Sequence, residues 1–318
     1  MIKGGKPDRI PLYGWVKGNL TDKLIVGFGT PEGFEDHYEF DLAHLFGGPH
    51  PYIVDDDYWK QKKAGVEIEP PEMMDLPLCD PDAMELYEPL KEEIRHHKEQ
   101  RGRFVYVQTP GIFEAINSTF GIENHLAYLL MFEEELHVIY RRQAEWNRRF
   151  AMNCLDIGID MIHISDDWGG QQSLMFSPEI WWRMIHPYHK MTCDAVKQRG
   201  GFLSLHSDGN INAVLDGIVD LGFDVVHPWQ ESAGMSLLDF KEKWRGRFTV
   251  MGGLDVQTTI GFGKYDLLKS EIERVMRMFA DGGLIFCTTH SVQDHCSLDE
   301  LKFAFDLAYR LAREVCAG

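Results

Sequence analysis

Short apolar runs rich in β-branched residues recur along this chain. Each closes on polar residues or glycine, and each is followed by a stretch of helical periodicity. That alternation constrains the fold strongly, because strands separated by helices pair in parallel and a parallel sheet must be covered by helices. The runs are residues 10–15, 52–54, 104–108, 161–165, 202–206, 225–228, 248–252 and 284–287. Eight such strands predict an α/β fold of the (β/α)8 TIM-barrel type, built as one domain over residues 1–318.

The intervening stretches carry helix punctuation. Ser177-Pro178-Glu179 reads as an N-cap followed by proline in the first turn, and Gly200-Gly201 closes that helix. Asp80-Pro81 predicts another helix start. Ser297-Leu298-Asp299-Glu300 has capping-box spacing before a last helix over residues 301–316. Residues 125–154 predict either two helices or one that bends near Glu133-Glu134-Glu135.

Charge narrows the partners. Thirty-two basic against 50 acidic side chains leave a net charge of −18, which repels nucleic-acid phosphates and anionic lipid. No apolar run reaches the ~20 residues of a membrane span, and the first residues lack the apolar core of a signal peptide. The six cysteines are scattered without a CxxC pair, so a reducing, cytoplasmic setting is expected. A small-molecule substrate remains the expected partner, with a homodimer as a further possibility.

In a (β/α)8 barrel the chemistry lies where the strands end. The runs end in Tyr13-Gly14-Trp15, Asp55-Asp56-Asp57, Gln108-Thr109-Pro110-Gly111, Ser165-Asp166-Asp167-Trp168-Gly169, His206-Ser207-Asp208-Gly209-Asn210, His227-Pro228-Trp229-Gln230-Glu231, Gly252-Gly253-Leu254-Asp255 and Cys287-Thr288-Thr289-His290. Strand ends are polar simply because they meet solvent, which accounts for aspartate and glycine. Histidines and tryptophans at the same points predict a small-molecule pocket with aromatic walls.

His206 and Asp208 lie two residues apart, on one face of an extended segment, and can address one ion. His290 then completes a two-histidine, one-carboxylate metal set that suits Zn2+ or Fe2+. The plainer alternative is that the histidines hydrogen-bond loop carbonyls or substrate and Asp208 caps the Gly209 turn. In the Asp166-Asp167 pair, one carboxylate is expected in the mouth and the other to brace a loop. An inward aspartate beside Trp168 would be partly desolvated and suited to acid–base work. Capping of the next helix is the alternative. Asp55 to Asp57 read mainly as a solvated turn.

Asp8-Arg9-x-Pro11, Ser165-Asp166-Asp167-Trp168-Gly169, Ser177-Pro178-Glu179 with Pro187-Tyr188, His206-Ser207-Asp208-Gly209-Asn210 and Gly252-Gly253-Leu254-Asp255 appear in that order. In this order the chain resembles the uroporphyrinogen decarboxylase superfamily, from Arg9 to Arg313. The resemblance implies the barrel and one of two chemistries: cofactor-free decarboxylation of uroporphyrinogen, or zinc-dependent methyl transfer with a corrinoid. The methyltransferases of that superfamily hold zinc with His-x-Cys after the fifth strand and a cysteine after the eighth. Here His206 keeps its place, while Asp208 and His290 stand where the cysteines would be. The decarboxylases carry an arginine-rich segment after the first strand, whereas residues 12–18 here contain none.

The leading expectation is a zinc-dependent methyltransferase or demethylase-type enzyme acting on a small molecule, with methylcobalamin or another corrinoid on a separate protein. His206, Asp208 and His290 would hold the metal. Asp167, His206 and Glu231 would serve catalysis, and Tyr13, Trp15, Gln108, Trp168, Trp229, Gln230 and Asp255 would contact substrate. A metal-free decarboxylase or lyase, and a non-catalytic ligand-binding barrel, are the alternatives.

Overall fold

The computed structural model describes residues 2, 7–52 and 67–316. Among these residues seven strands form one parallel sheet in sequence order. They are β1 (Leu42–Leu45), β2 (Phe104–Pro110), β3 (Met161–Ser165), β4 (Phe202–His206), β5 (Val225–Trp229), β6 (Thr249–Leu254) and β7 (Leu284–Thr288). Every residue of β3, β5 and β7 is buried, as expected when a parallel sheet is covered on both faces.

The expected first strand, residues 10–15, is not a named strand. Its backbone nevertheless reaches both edges of the sheet. Tyr13 N–H donates to Phe286 O and Phe286 N–H to Pro11 O on the β7 side, while Asp41 N–H donates to Leu12 O just before β1. The expected second strand is displaced. Tyr52 forms an antiparallel bridge to Leu78, Val54 and Asp55 to Asp57 lie outside the described residues, and the sheet instead takes up Leu42–Leu45. The other six runs coincide with β2 to β7 to within two residues at either end.

The helices that matter here are α1 (Glu114–Phe120), α2 (Ile122–Met131), α3 (Glu133–Asp156), α4 (His186–Gln198), α5 (Tyr265–Met278) and α6 (Leu298–Glu314). Their apolar stripes follow the helical repeat. Leu268, Ile272, Val275 and Met276 of α5 are buried, as are Leu301, Ala304, Phe305, Ala308 and Leu311 of α6. Each large aliphatic side chain so buried contributes roughly 1.5–3 kcal/mol. Residues 125–154 divide into two helices at Phe132, where φ is −132° and ψ 44°.

Two caps form at the expected places: Ser177 Oγ accepts from Ile180 N–H and Ser297 Oγ from Glu300 N–H. The second is only half a capping box. The Glu300 carboxylate turns away and accepts the N–H groups of Gly261, Phe262 and Gly263, fastening the loop after β6 to α6. Asp80 forms a turn by accepting from Asp82 N–H, and helix begins only at Met84.

Candidate active site

The loops after β3, β4 and β5 are laced together through their backbones. A Cβ on Gly169 would lie 2.4 Å from Asp208 O, and Gly209, at φ +77°, approaches Gly169 O within 2.5 Å of its own notional Cβ. Only glycine allows this approach at both positions. The contact is completed by Asn210 N–H donating to Gly170 O and Trp168 N–H to Ser207 Oγ. Gln230 reaches across from β5 to accept Gly209 N–H.

This lacing sets Asp167 beside Asp208. Asp208 N–H donates to Asp167 Oδ1 at 2.7 Å. His206, at the end of β4, places Nε2 3.8 Å from Asp167 Oδ1 and 3.9 Å from Asp208 Oδ1. Asp208 Oδ1 is buried without a hydrogen-bond partner. One ligand atom from each of the three lies within 4.8 Å of the others. A tetrahedral site with ligands at ~2.0–2.1 Å needs separations of about 3.4 Å, so small side-chain rotations would close the set on one ion.

The neighbouring aspartate has a different task. Asp166 is fully buried, accepts N–H from Ile112, Phe113 and Glu114 at the start of α1, and lies 2.7 Å from His189 Nε2 of α4. Burial alone would raise its pKa; the His189 hydrogen bond and charge, with the backbone donors, outweigh burial and hold it below the ordinary value. One carboxylate of the pair therefore braces, and the other faces His206.

Electrostatics in the mouth follow from burial. Asp208 is pushed up to about 7 by burial and then by Asp167. Asp167 is raised by burial. His206 is pushed down to about 3, chiefly by burial and then by His290 and His44. Glu114, in the first turn of α1, rises to about 7 through burial and the adjacent Asp167 and Asp166, and accepts from Ser165 Oγ. Among the described residues none of Asp167, Asp208 and Glu114 forms an ion pair with lysine or arginine.

Behind this rim lies an array of imidazoles around Trp15. The Trp15 ring stacks on His206 at 5.4 Å and sits 4.8 Å from His227, 5.6 Å from His44 and 6.0 Å from His290. Its Nε1 donates to Tyr106 Oη, and its backbone N–H to Thr288 Oγ1. Sequence reasoning missed His44, His163 and Glu114. The available signal for His163 was a histidine flanked on both sides by isoleucine within β3. For Glu114 it was a carboxylate opening the helix after β2. His44 carried no such signal, because its strand was placed elsewhere.

Two cavities adjoin the array. One of about 690 Å³ is lined by Tyr13, Trp15, Lys17, His44, Phe46 and Gln108, among others. A second, about 420 Å³, shares Phe46 and Gln108 and reaches Glu114, Trp146 and Ser165. Tyr13, Trp15 and Gln108 are thus lining residues.

Other expected site residues lie apart from these cavities. His290 stands 6.3 Å from the His206 ring, outside the close set that Asp167 completes. Trp168 is fully buried against Trp181 and His189 of the helical layer. Trp229 packs outward on Phe240 and Phe248, because the β5–β6 register shifts between Val226 and Trp229. Glu231 pairs with Arg274 of α5, and Asp255 accepts from Ser232 Oγ. Gln230 braces Gly209. Trp229, Glu231 and Asp255 instead line a small cavity of about 60 Å³ beside α5.

A parallel TIM-barrel-like sheet with carboxylates and imidazoles gathered at the strand ends defines the class of barrel-type catalytic domains. Within that class the chain belongs to the uroporphyrinogen decarboxylase family, whose model, "Uroporphyrinogen decarboxylase (URO-D)", matches residues 72–311. It is similar to the uroporphyrinogen decarboxylase of a Synechocystis strain, with 24% identity over 54% of this chain and 47% of that protein. The chain thus spans about half the length of that curated relative. In fold it is similar to a methyltransferase from Methanosarcina mazei, at TM-score 0.68 and 16% identity, covering 97% of this chain and 96% of the other. No helix among the described residues is long and apolar enough to cross a membrane.

Proposed function

We propose that this protein is a methyltransferase-type enzyme acting on a small molecule at a cation site formed by Asp167, His206 and Asp208. The observation that carries the proposal is the convergence of these three ligand atoms at the strand ends, with Asp208 Oδ1 buried and unpartnered among them. One imidazole and two carboxylates suit Zn2+ or Fe2+. Such an ion supplies Lewis acidity, lowering the pKa of a substrate thiol, hydroxyl or water. That none of the three carboxylates pairs with lysine or arginine among the described residues favours a bound cation over a polycarboxylate such as uroporphyrinogen.

The protein's own groups then have distinct tasks. Trp15 and Gln108 line and orient substrate in the larger cavity. Glu114, poised near neutrality beside Asp167, holds or accepts a proton. His290 faces the site from the loop after β7. Residues 10–15 serve as the strand that closes an eight-stranded barrel. A corrinoid on a separate protein is the proposed methyl partner, following the resemblance.

Metal-free decarboxylation or lyase chemistry is the second reading. The observation favouring it is that Asp208 and Glu114 both titrate near 7 and could act as an acid–base pair unaided.

Elemental analysis of protein purified without added metal or chelator tests the first reading. Near-stoichiometric zinc or iron, abolished by His206→Ala and by Asp208→Asn but largely kept by Glu231→Ala, is the expected result. Absence of metal even after reconstitution would overturn it. Methyl transfer assayed with methylcobalamin, and activity measured in chelator, then separate the two chemistries.

A further inference from the structure

We infer that His227 is a positioning residue that fixes the tautomer of His206, so that an Nε2 lone pair faces Asp167 and Asp208. The inference deepens the proposed cation site and rests on that reading for its purpose, but its structural basis is separate.

The chain of reasoning begins at Thr288. Its carbonyl oxygen can only accept, and His227 Nε2 lies 3.1 Å from it, so Nε2 carries a hydrogen. His227 is fully buried. The groups facing it are the His206 imidazole of β4, the His163 imidazole of β3, the Trp15 ring and the Thr288 carbonyl. His290 also acts on it. Among the described residues none of these groups is a carboxylate, so none of them would balance an imidazolium, and burying an unpaired charge is costly. His227 is therefore neutral, and its Nδ1 is a bare acceptor.

His206 Nδ1 lies 2.9 Å from His227 Nδ1. Two lone pairs cannot face one another at that distance, so His206 Nδ1 is the donor. A neutral His206 then has no hydrogen on Nε2. That nitrogen points at Asp167 Oδ1 and at the unpartnered Asp208 Oδ1. Three acceptors directed at one another frame a place that a cation would fill. Hydrogen-bonded partners of this kind orient metal-binding histidines and set their basicity. Without His227, His206 is free to adopt the other tautomer, whose Nε2–H would bond a carboxylate and withdraw the lone pair.

Two variants test this. His227→Phe removes both ring nitrogens while keeping a buried ring. His227→Asn restores an acceptor oxygen near the position of Nδ1. The first readout is the His206 tautomer in metal-free protein, from long-range 1H–15N NMR assigned with His206→Ala. The second is the Zn2+ dissociation constant from competition with a chromophoric chelator.

Nδ1–H His206 in the parent is expected, with Zn2+ binding about 10- to 100-fold weaker in His227→Phe and within a few-fold of the parent in His227→Asn. An Nε2–H tautomer in the parent would overturn the inference. So would unchanged affinity in folded His227→Phe, or equal weakening in both variants, which would mark a packing effect. If the parent binds no Zn2+, the cation site fails, while the tautomer measurement still decides the role of His227.

Discussion

Two adjacent aspartates show how environment divides one residue type into two roles. Asp166 is saturated with donors, whereas Asp167 keeps a carboxylate directed at His206. The raised pKa of Asp208 makes stability depend on pH. In metal-free protein its native value is about 7 against an ordinary 3.8, so the native state holds a proton that the unfolded state releases. The stability this contributes is fully present below about 4 and is lost as pH rises through about 7. Urea midpoints taken across this window in chelator should fall with pH in the parent and more weakly in Asp208→Asn. Excess Zn2+ should reverse the slope, because the ion competes with the proton. At the rim, Glu231 is engaged with half-exposed Arg274, and such pairs are worth about 0–1 kcal/mol. Glu231→Ala should therefore leave turnover within a few-fold and shift stability little, which enzyme assays and thermal melts would read directly.

Among the elements, the junction between β2, α1 and α4 depends on Asp166. Removing its carboxylate strands three backbone N–H groups and His189 in the interior. Asp166→Ala should cost about 3–5 kcal/mol in urea unfolding, as expected for breaking a buried pair. Loss of the Ser297 cap through Ser297→Ala should cost about 1 kcal/mol by the same measurement. Six of the seven strands were legible because each opens on a short, mainly apolar run between turn signals. β1 was not legible: it has four residues, one of them His44, so its apolar run is too short to stand out. In the proposed site, His206, Asp167 and Asp208 were expected from their places at strand ends, though His290 rather than Asp167 was expected as the third ligand. Trp229 was not, because the shift between Val226 and Trp229 breaks the alternation that would have turned it inward. Glu231 and Asp255 follow strands but belong to contacts among loops and helices, which strand order alone does not reveal.

For the molecule as a whole, a short stretch of main chain spans the two ends of the seven-stranded sheet. Residues 11–13 engage β7 on one side and the chain before β1 on the other. Truncation through Tyr13 would leave the edge of β7 unpaired and release the chain before β1, and open parallel edges recruit other chains. The truncated protein should aggregate, as light scattering would show, while the parent at a net charge of −18 remains dispersed.

The placement of Trp15 also gives the molecule an optical handle. Its indole lies against His206 and within 6.0 Å of His290, close enough for its excited state to respond to either ring. A neutral imidazole quenches indole emission weakly, a protonated one strongly, and a paramagnetic ion at His206 more strongly still. Because the chain holds eight tryptophans, the difference spectrum between the parent and Trp15→Phe isolates this one emitter. Proton and ion occupancy at the mouth can thus be followed by the light of a single native side chain.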